Sequence, residues 1–285
     1  MSKKGLEGLD NKKKIIIIVA LVVVIVAALI IFFVSGMKSD QQRASEWNEE
    51  HLSEANKESK WEEYSYDEKV KYYKDNFGID VPEKALNFEE MHKTVNKDIY
   101  AWLYIPEIGI DTPVVQHPTD DDYYLNYNLD GSKGYPGGIY SEPGYNKKDF
   151  MDPQTVIYGH NMKNGTGFAA LHQLEDKATF DKVRYIYVYT ENDILVYEIF
   201  ASREVLSTHA LDAPPYNKET LEDFPDFLQT LLSDTDVSGN NKDNHIDKYD
   251  FTKDSKILTL CTCLKSGDDR YRYNTYGVLL RKKDS

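Results

Sequence analysis

Cysteine is scarce in this chain. Its 285 residues include two, Cys261 and Cys263, on one short stretch. Two thiols that close cannot staple a small fold, so a disulfide framework is excluded. Nor can they supply the four Cys or His ligands that a structural zinc site usually takes. Basic charge is also short. The 34 Lys and Arg stand against 48 Asp and Glu, a net −14. Nucleic-acid binding needs a basic footprint to displace phosphate counterions, and the balance here is the reverse. Disorder is excluded from another side, because 41% hydrophobic and 29% charged residues are ordinary for a folded chain. The length suits one large domain or two small ones, with a real core.

One long apolar run stands out. Residues Ile15 to Val34 are twenty in a row without a charge. A helix of that length spans roughly 30 Å, the thickness of a bilayer's hydrocarbon. The apolar part of a cleaved signal peptide is shorter, about 7–15 residues, and Val34-Ser35-Gly36 is a poor cleavage site. The run therefore reads as an uncleaved transmembrane anchor over residues 15–34. Lys3, Lys4, Lys12, Lys13 and Lys14 precede it, and only Lys38 and Arg43 follow closely. The positive-inside bias puts residues 1–14 in the cytoplasm and the rest outside the cell membrane, as a single-pass protein. An exported acidic domain without disulfides is common on Gram-positive-type bacterial surfaces.

The exported part has two textures. Residues 35–84 read as a helical stalk. Its apolar positions are sparse, among them Trp47, Leu52, Trp61, Tyr64, Val70 and Tyr73, which predicts a loosely packed face. Ser39 or Asp40 would cap its first helix. Gly78 and Pro82 end the run, and a short helix is expected over Asn87–Val95. From Tyr100 the composition changes to short Val-, Ile- and Tyr-rich runs between turn residues. Eight strands are predicted: Ala101–Ile105, Thr112–Gln116, Gly138–Tyr140, Thr155–Tyr158, Arg184–Tyr189, Leu195–Val205, Lys256–Thr262 and Arg272–Arg281. Their number and spacing point to a mainly β barrel or sandwich. Two helices interrupt it, Thr166–Leu174 and Lys218–Leu232. The second carries Leu221, Phe224 and Leu228 on one face, and Pro225 should kink or restart it.

Few residues here can do chemistry. The strand Lys256–Cys263 ends in a thiol, and alternation puts Thr259, Cys261 and Cys263 on one face. A strand-end thiol is rigidly held yet reachable; the competing role is a buried structural cysteine. In Thr155–Met162 a β run leads through Gly159 into His160, just past the strand end. The other histidines, His51, His92, His117, His172, His209 and His245, read as surface or satisfied groups. The stretch Asp268–Tyr273 opens the last strand. A hairpin-like return would bring an arginine beside Cys263, where its five N–H donors could hold an oxyanion. The competing role is a surface pair with Asp268 or Asp269. The run from Asp234 to Asn240 begins like a calcium loop, but position twelve is His245 where a bidentate Glu is expected, so it reads as a polar loop. Asp120–Asp122 reads as a solvated turn.

Together these pieces resemble a family. Thr259-Leu-Cys-Thr-Cys263 matches the TL-x-TC signature of the sortases, with a His about a hundred residues before it and an Arg about nine after. Trp102–Gln116, Tyr123–Gly131, Tyr158–Met162 and the helical insertion Lys218–Leu232 resemble class B sortases. The likeness covers about residues 85–283. It implies an eight-stranded sortase-type β-barrel over residues 85–285, with N-terminal helices and a helix in the loop before the cysteine strand. It implies a cysteine transpeptidase with Cys263 as nucleophile, His160 as general acid/base and Arg272 as the oxyanion or substrate-orienting arginine. Arg270 shares a face with Arg272; Arg272 is preferred because the apolar strand after it then registers with the family's last strand. Cys261 fills the variable position of the signature and would line the site. Tyr158, Leu125 and Thr262 are further substrate-binding candidates. The implied substrates are surface proteins with a C-terminal sorting motif, NP-x-T in preference to LP-x-T-G, cleaved after Thr, with a peptidoglycan amine as acceptor. The thioester keeps the energy of the cleaved bond, so no ATP, metal or organic cofactor is called for. One alternative is a pilin-polymerising sortase, against which stand the missing Asp-Pro-aromatic lid and C-terminal membrane helix. A catalytically silent, membrane-tethered binding module is another, and the intact Cys263 and His160 argue against it.

Overall fold

The computed structural model describes residues 25–26, 66–208, 211–212, 214–233 and 249–280. The chain divides into two units, 1–47 and 48–285. All elements named below belong to the second. The expected anchor over residues 15–34 lies outside the described residues except for Ile25 and Val26, which are helical. Among the described residues no helix is long and apolar enough to cross a membrane. The proposed caps Ser39 and Asp40 and the polar loop Asp234–His245 also lie outside.

The chain runs through α1 (Tyr66–Phe77), α2 (Phe88–Thr94), β1 (Ile99–Ile105), β2 (Ile110–Val115), the single turn α3 (Tyr123–Asn126) and β3 (Gln154–Tyr158). A 3₁₀ helix (Phe168–Glu175), α4 (Lys177–Phe180), β4 (Tyr185–Thr190), β5 (Ile194–Leu206), α5 (Phe224–Ser233), β6 (Ile257–Cys263) and β7 (Tyr271–Leu279) follow. The strands form one curled sheet in the order β2-β1-β4-β5-β7-β6-β3. All neighbours are antiparallel except β3 and β6, which are parallel.

The sheet has seven strands, not the eight expected. Gly138–Tyr140 forms no strand. Tyr140 instead makes isolated bridges to Val115 of β2 and Tyr158 of β3. The reason is local. Gly137 is in the left-handed region at φ +69°, and Pro136 and Pro143 bracket the segment, so extended pairing lasts for about one residue. That residue still joins the two edge strands. Val115 N donates to Ile139 O and Ser141 N to Val115 O, while Tyr140 and Tyr158 exchange two bonds.

Two helix expectations meet different outcomes. Thr166–Leu174 becomes a 3₁₀ helix. Phe168, Leu171 and Leu174 recur every three residues and are all fully buried. A period of three lines them up in a 3₁₀ helix and fans them apart in an α-helix. Lys218–Leu232 begins its helix only at Phe224, with Pro225 in the first turn. There the missing N–H would have had no partner anyway. Farther back, Asn87 caps α2 by accepting from Glu90 N at 2.9 Å.

The main core lies inside the curl and includes Leu103, Ile157, Phe168, Leu171, Ile186, Leu258 and Leu260. A second cluster seats α5 on the sheet through Phe224, Leu228, Leu231 and Leu232 against Phe200, Tyr276, Ile257 and Val278. Phe224 is fully buried there. Phe224→Ala should therefore cost about 3–5 kcal/mol in urea unfolding. An unchanged unfolding midpoint would show that α5 is not docked.

Candidate active site

Strand register assembles the site. On the parallel side Tyr158 pairs with Cys261. On the antiparallel side Cys261 faces Asn274 and Cys263 faces Arg272. One strand farther on, Arg203 faces Asn274 and Val205 faces Arg272. Directly paired residues point to the same side of a sheet, so these side chains share one face. Arg272, not Arg270, therefore lies across from Cys263. Arg270 precedes β7, and its guanidinium is held by Asp268 at 2.6 and 2.9 Å. Arg272 donates twice through Nη1, to Asp269 O and Tyr271 O, both at 2.9 Å.

His160 arrives from the other side. β3 ends at Tyr158, but the ladder continues for one rung, Gly159 N to Cys261 O at 3.1 Å. The Thr262 hydroxyl then donates to Gly159 O at 2.7 Å. Position 159 has no room for a side chain, since a Cβ would lie 2.4 Å from Ile139 Cδ1 and 2.8 Å from the Phe168 ring. Glycine lets the loop press against the strand and carry His160 to the end of β6. The His160 ring donates from Nε2 to the Leu125 carbonyl at 2.9 Å and meets the Tyr135 ring edge-on at 4.9 Å. The next residue, Asn161, donates from Nδ2 to Cys263 O at 3.1 Å.

The two thiols differ in setting. Cys263 is exposed, whereas Cys261 is buried. Burial pushes the Cys261 thiol up to about 12; the nearby Arg272 charge opposes this, and Cys263 and Glu142 add to it. Cys261 is thus a neutral thiol at ordinary pH, and a neutral thiol is a poor nucleophile. A groove of about 190 Å³ runs over this face, lined by Val156, Tyr158, Val205, Cys261, Arg272 and Asn274 among others. The Tyr158 phenol is held protonated by burial and by the neighbouring Glu142 carboxylate. At the groove, Asn274 Oδ1 has no hydrogen-bond partner among the described residues, and behind it Arg203 Nε and Nη1 have none either.

Of the residues expected at the site, the structure brings together Cys263, Cys261, Arg272, Tyr158 and the loop carrying His160. Leu125 contributes its carbonyl to His160 and leaves its side chain exposed. Thr262 is not at the groove. It alternates to the opposite face and is buried, where it ties β6 to Gly159. His172 is satisfied, as expected, but its partner is Cys263 itself: Nε2 meets the Cys263 carbonyl at 2.9 Å. Asn161 lay in the quoted motif without an assigned role. Neither could be found from spacing, because each acts on a backbone carbonyl that only the fold brings near. Among the described residues, no three His, Cys, Asp or Glu side chains converge as metal ligands would.

Two measurements check this geometry. Iodoacetamide at about pH 8 should label the native protein once, at Cys263, and the unfolded protein twice by intact mass. Rapid double labelling of the native protein would contradict the burial of Cys261. Thr262→Val should lower stability by roughly 1–3 kcal/mol, because it leaves a buried carbonyl short of its donor.

Known proteins share this fold. The Sortase domain family model matches residues 103–280. Sortase B of Listeria monocytogenes is 33% identical over 193 residues, covering 66% of this chain and 72% of that protein. The crystal structure of Clostridium perfringens sortase B superposes with a TM-score of 0.55 at 26% identity, covering 68% of this chain and all of that one. A Streptococcus pyogenes class B sortase involved in pilus biogenesis shares the fold at 24% identity and a TM-score of 0.54, over 70% of this chain and all of that one. A curled β-sheet that contains a TL-x-TC strand, in a chain matched by a family model over residues 103–280 and by sortase B relatives in sequence and structure, makes this chain a class B member of the sortase family of cysteine transpeptidases.

Proposed function

We propose that this chain is a membrane-anchored extracellular sortase that cleaves a C-terminal sorting motif after Thr and joins the freed carbonyl to a peptidoglycan amine. The observation that carries the reading is the pairing of exposed Cys263 with Arg272 at the sheet end to which the Gly159 loop delivers His160.

The chemistry uses these groups in turn. The Cys263 thiol gives its proton to His160, and the thiolate attacks the threonine carbonyl carbon. Arg272 and nearby N–H groups hold the developing oxyanion. The peptide C–N bond breaks as His160 returns a proton to the leaving amine, and a thioester remains on Cys263. An acceptor amine then attacks the thioester, His160 takes its proton, and the Cys263 thiolate leaves as the new amide forms. The amine supplies the nucleophile and the thioester the driving force, so the exchange balances without further reactants.

Membership of class B favours NP-x-T over LP-x-T as the motif. The apolar run over residues 15–34 supports a single-pass anchor with residues 1–14 inside, a stalk over 35–84 and the catalytic domain over 85–285 outside.

The test is peptide turnover by the full chain in detergent, with NP-x-T and LP-x-T fluorogenic peptides, with and without a wall-type amine. The NP-x-T peptide should be cut faster, and added amine should divert product from acid to amide. Cys263→Ala should abolish turnover while Cys261→Ala keeps it. Arg272→Ala should lower kcat by about 10²–10³, the usual effect of losing an oxyanion donor. Equal loss in both cysteine variants would overturn the assignment of the nucleophile. Hydrolysis that no amine diverts would overturn transfer to the wall, and amide formation only with a pilin-type lysine would replace the acceptor.

A further inference from the structure

Cys263 is the last residue of β6, and its carbonyl has outrun the neighbouring strand. The final main-chain rung on that side ends at Cys261 O. Two side chains meet Cys263 O instead, Asn161 Nδ2 at 3.1 Å and His172 Nε2 at 2.9 Å. His172 is 3% exposed, and its ring lies against Tyr273 with centroids 4.8 Å apart. It has no room to swing away. Its Nδ1 faces Glu175 Oε1 at 2.5 Å, and Glu175 Oε2 accepts from Lys265 Nζ at 2.7 Å. Lys265 lies two residues past Cys263. The contacts therefore close a ring, in which residues 263 and 265 grip residues 172 and 175 of the 3₁₀ helix.

Asn161 alone would satisfy the carbonyl. The second donor, backed by a carboxylate and an ammonium, exceeds what satisfaction requires. His172 Nδ1 faces the Glu175 carboxylate, and Nε2 lies 2.9 Å from Cys263 O and 3.1 Å from Asn161 Nδ2. With its proton on Nε2 the ring donates to Cys263 O, the second donor that this carbonyl meets. Glu175 orients the ring, and Lys265 anchors Glu175.

We propose that His172, fixed by Glu175 and Lys265, is a positioning residue for Cys263: it pins the strand-end carbonyl and so keeps the thiol in register with Arg272 and beside the His160 loop. The proposal rests on the reading of Cys263 as the nucleophile. Strand ends fray when their last polar groups are unpaired. Here fraying would also displace the turn that returns the chain to Arg272.

The test compares His172→Leu, His172→Gln, Glu175→Gln and Lys265→Met in the full chain in detergent. Peptide kcat and KM, the rate of Cys263 alkylation by iodoacetamide and thermal unfolding are read for each. His172→Leu should lower kcat on the order of 100-fold with KM little changed, as small misplacements of reacting groups do. Alkylation should slow by about tenfold as the thiol moves away from the His160 loop that carries its base. His172→Gln, which keeps an N–H within reach of the carbonyl, should recover most of both rates. Lys265→Met, at the surface, should lower kcat several-fold with unchanged unfolding. The proposal is overturned if His172→Gln is as poor as His172→Leu, or if every loss tracks the unfolding temperature. Should His172→Leu not fold, unchanged kcat in both Glu175→Gln and Lys265→Met overturns it. If the parent protein turns over no peptide, the transpeptidase reading fails while the alkylation rates still report on the clamp.

Discussion

The parallel pairing of β3 with β6 is the constraint on which the rest of this structure depends. In an antiparallel pair the two strand ends point to opposite edges of a sheet; in a parallel pair they emerge at the same edge. The register fixes Tyr158 against Cys261. Two residues past that pair stand Cys263 at the end of β6 and His160 on the loop leaving β3, whose next residue, Asn161, reaches the Cys263 carbonyl. β7 then starts where β6 ends and runs back, so its second residue, Arg272, falls opposite Cys263. Two register choices bring the loop that carries His160 to the sheet end where Cys263 and Arg272, 103 and 112 residues farther on, stand opposite each other. The parallel pairing also accounts for the long gap between His160 and Cys263. Two parallel neighbours need a crossover connection, and here it contains β4, β5 and α5.

Close packing makes that meeting rigid. Gly159 lets the loop lie against Ile139 and Phe168, and the Thr262 hydroxyl and the Cys261 carbonyl hold it from the strand side. Asn161 and His172 extend the ladder with side-chain rungs after the main-chain rungs have ended. Cys261 and Cys263 share a face of β6, but Cys263 stands at the exposed strand end while Cys261, two residues back, is packed against Val156 and Leu211. A signature strand with two thiols thus presents one reactive sulfur to the outside, and the other stays a neutral part of the groove floor. The exposed rim contains Leu125 and Tyr135, large apolar side chains next to His160.

Much of this was legible in the sequence, for identifiable reasons. The strand Lys256–Cys263 shows its alternation openly, and the strand before Gly159 shows its end. The short helix expected over Asn87–Val95 forms as α2, and Pro225 marks a helix start. The segment Gly138–Tyr140 misled because its composition is strand-like while the flanking prolines and Gly137 allow only one bridged residue. The 3₁₀ helix misled because Phe168, Leu171 and Leu174 fit an amphipathic helix of either pitch, and burial of all three selects the tighter one. Choosing between Arg270 and Arg272 needed the register, since both lie on the same face of an extended chain. His172 was legible as satisfied but not as a partner of Cys263, since the carbonyl it meets comes from 91 residues away. Thr262 faced the core rather than the groove, as the alternation along β6 already implied. The apolar run over residues 15–34 has the clearest sequence signal of all, and it lies almost entirely outside the described residues.

The central claim is that this sheet end holds a covalent acyl-enzyme on Cys263. Intact-mass analysis of the full chain mixed with an NP-x-T peptide tests it most directly. The account expects an added mass equal to the peptide's acyl part, located on the Cys263 fragment, removed by hydroxylamine and absent from Cys263→Ala. An adduct on Cys261, or turnover with no trace of a thioester when the acceptor amine is withheld, would contradict it.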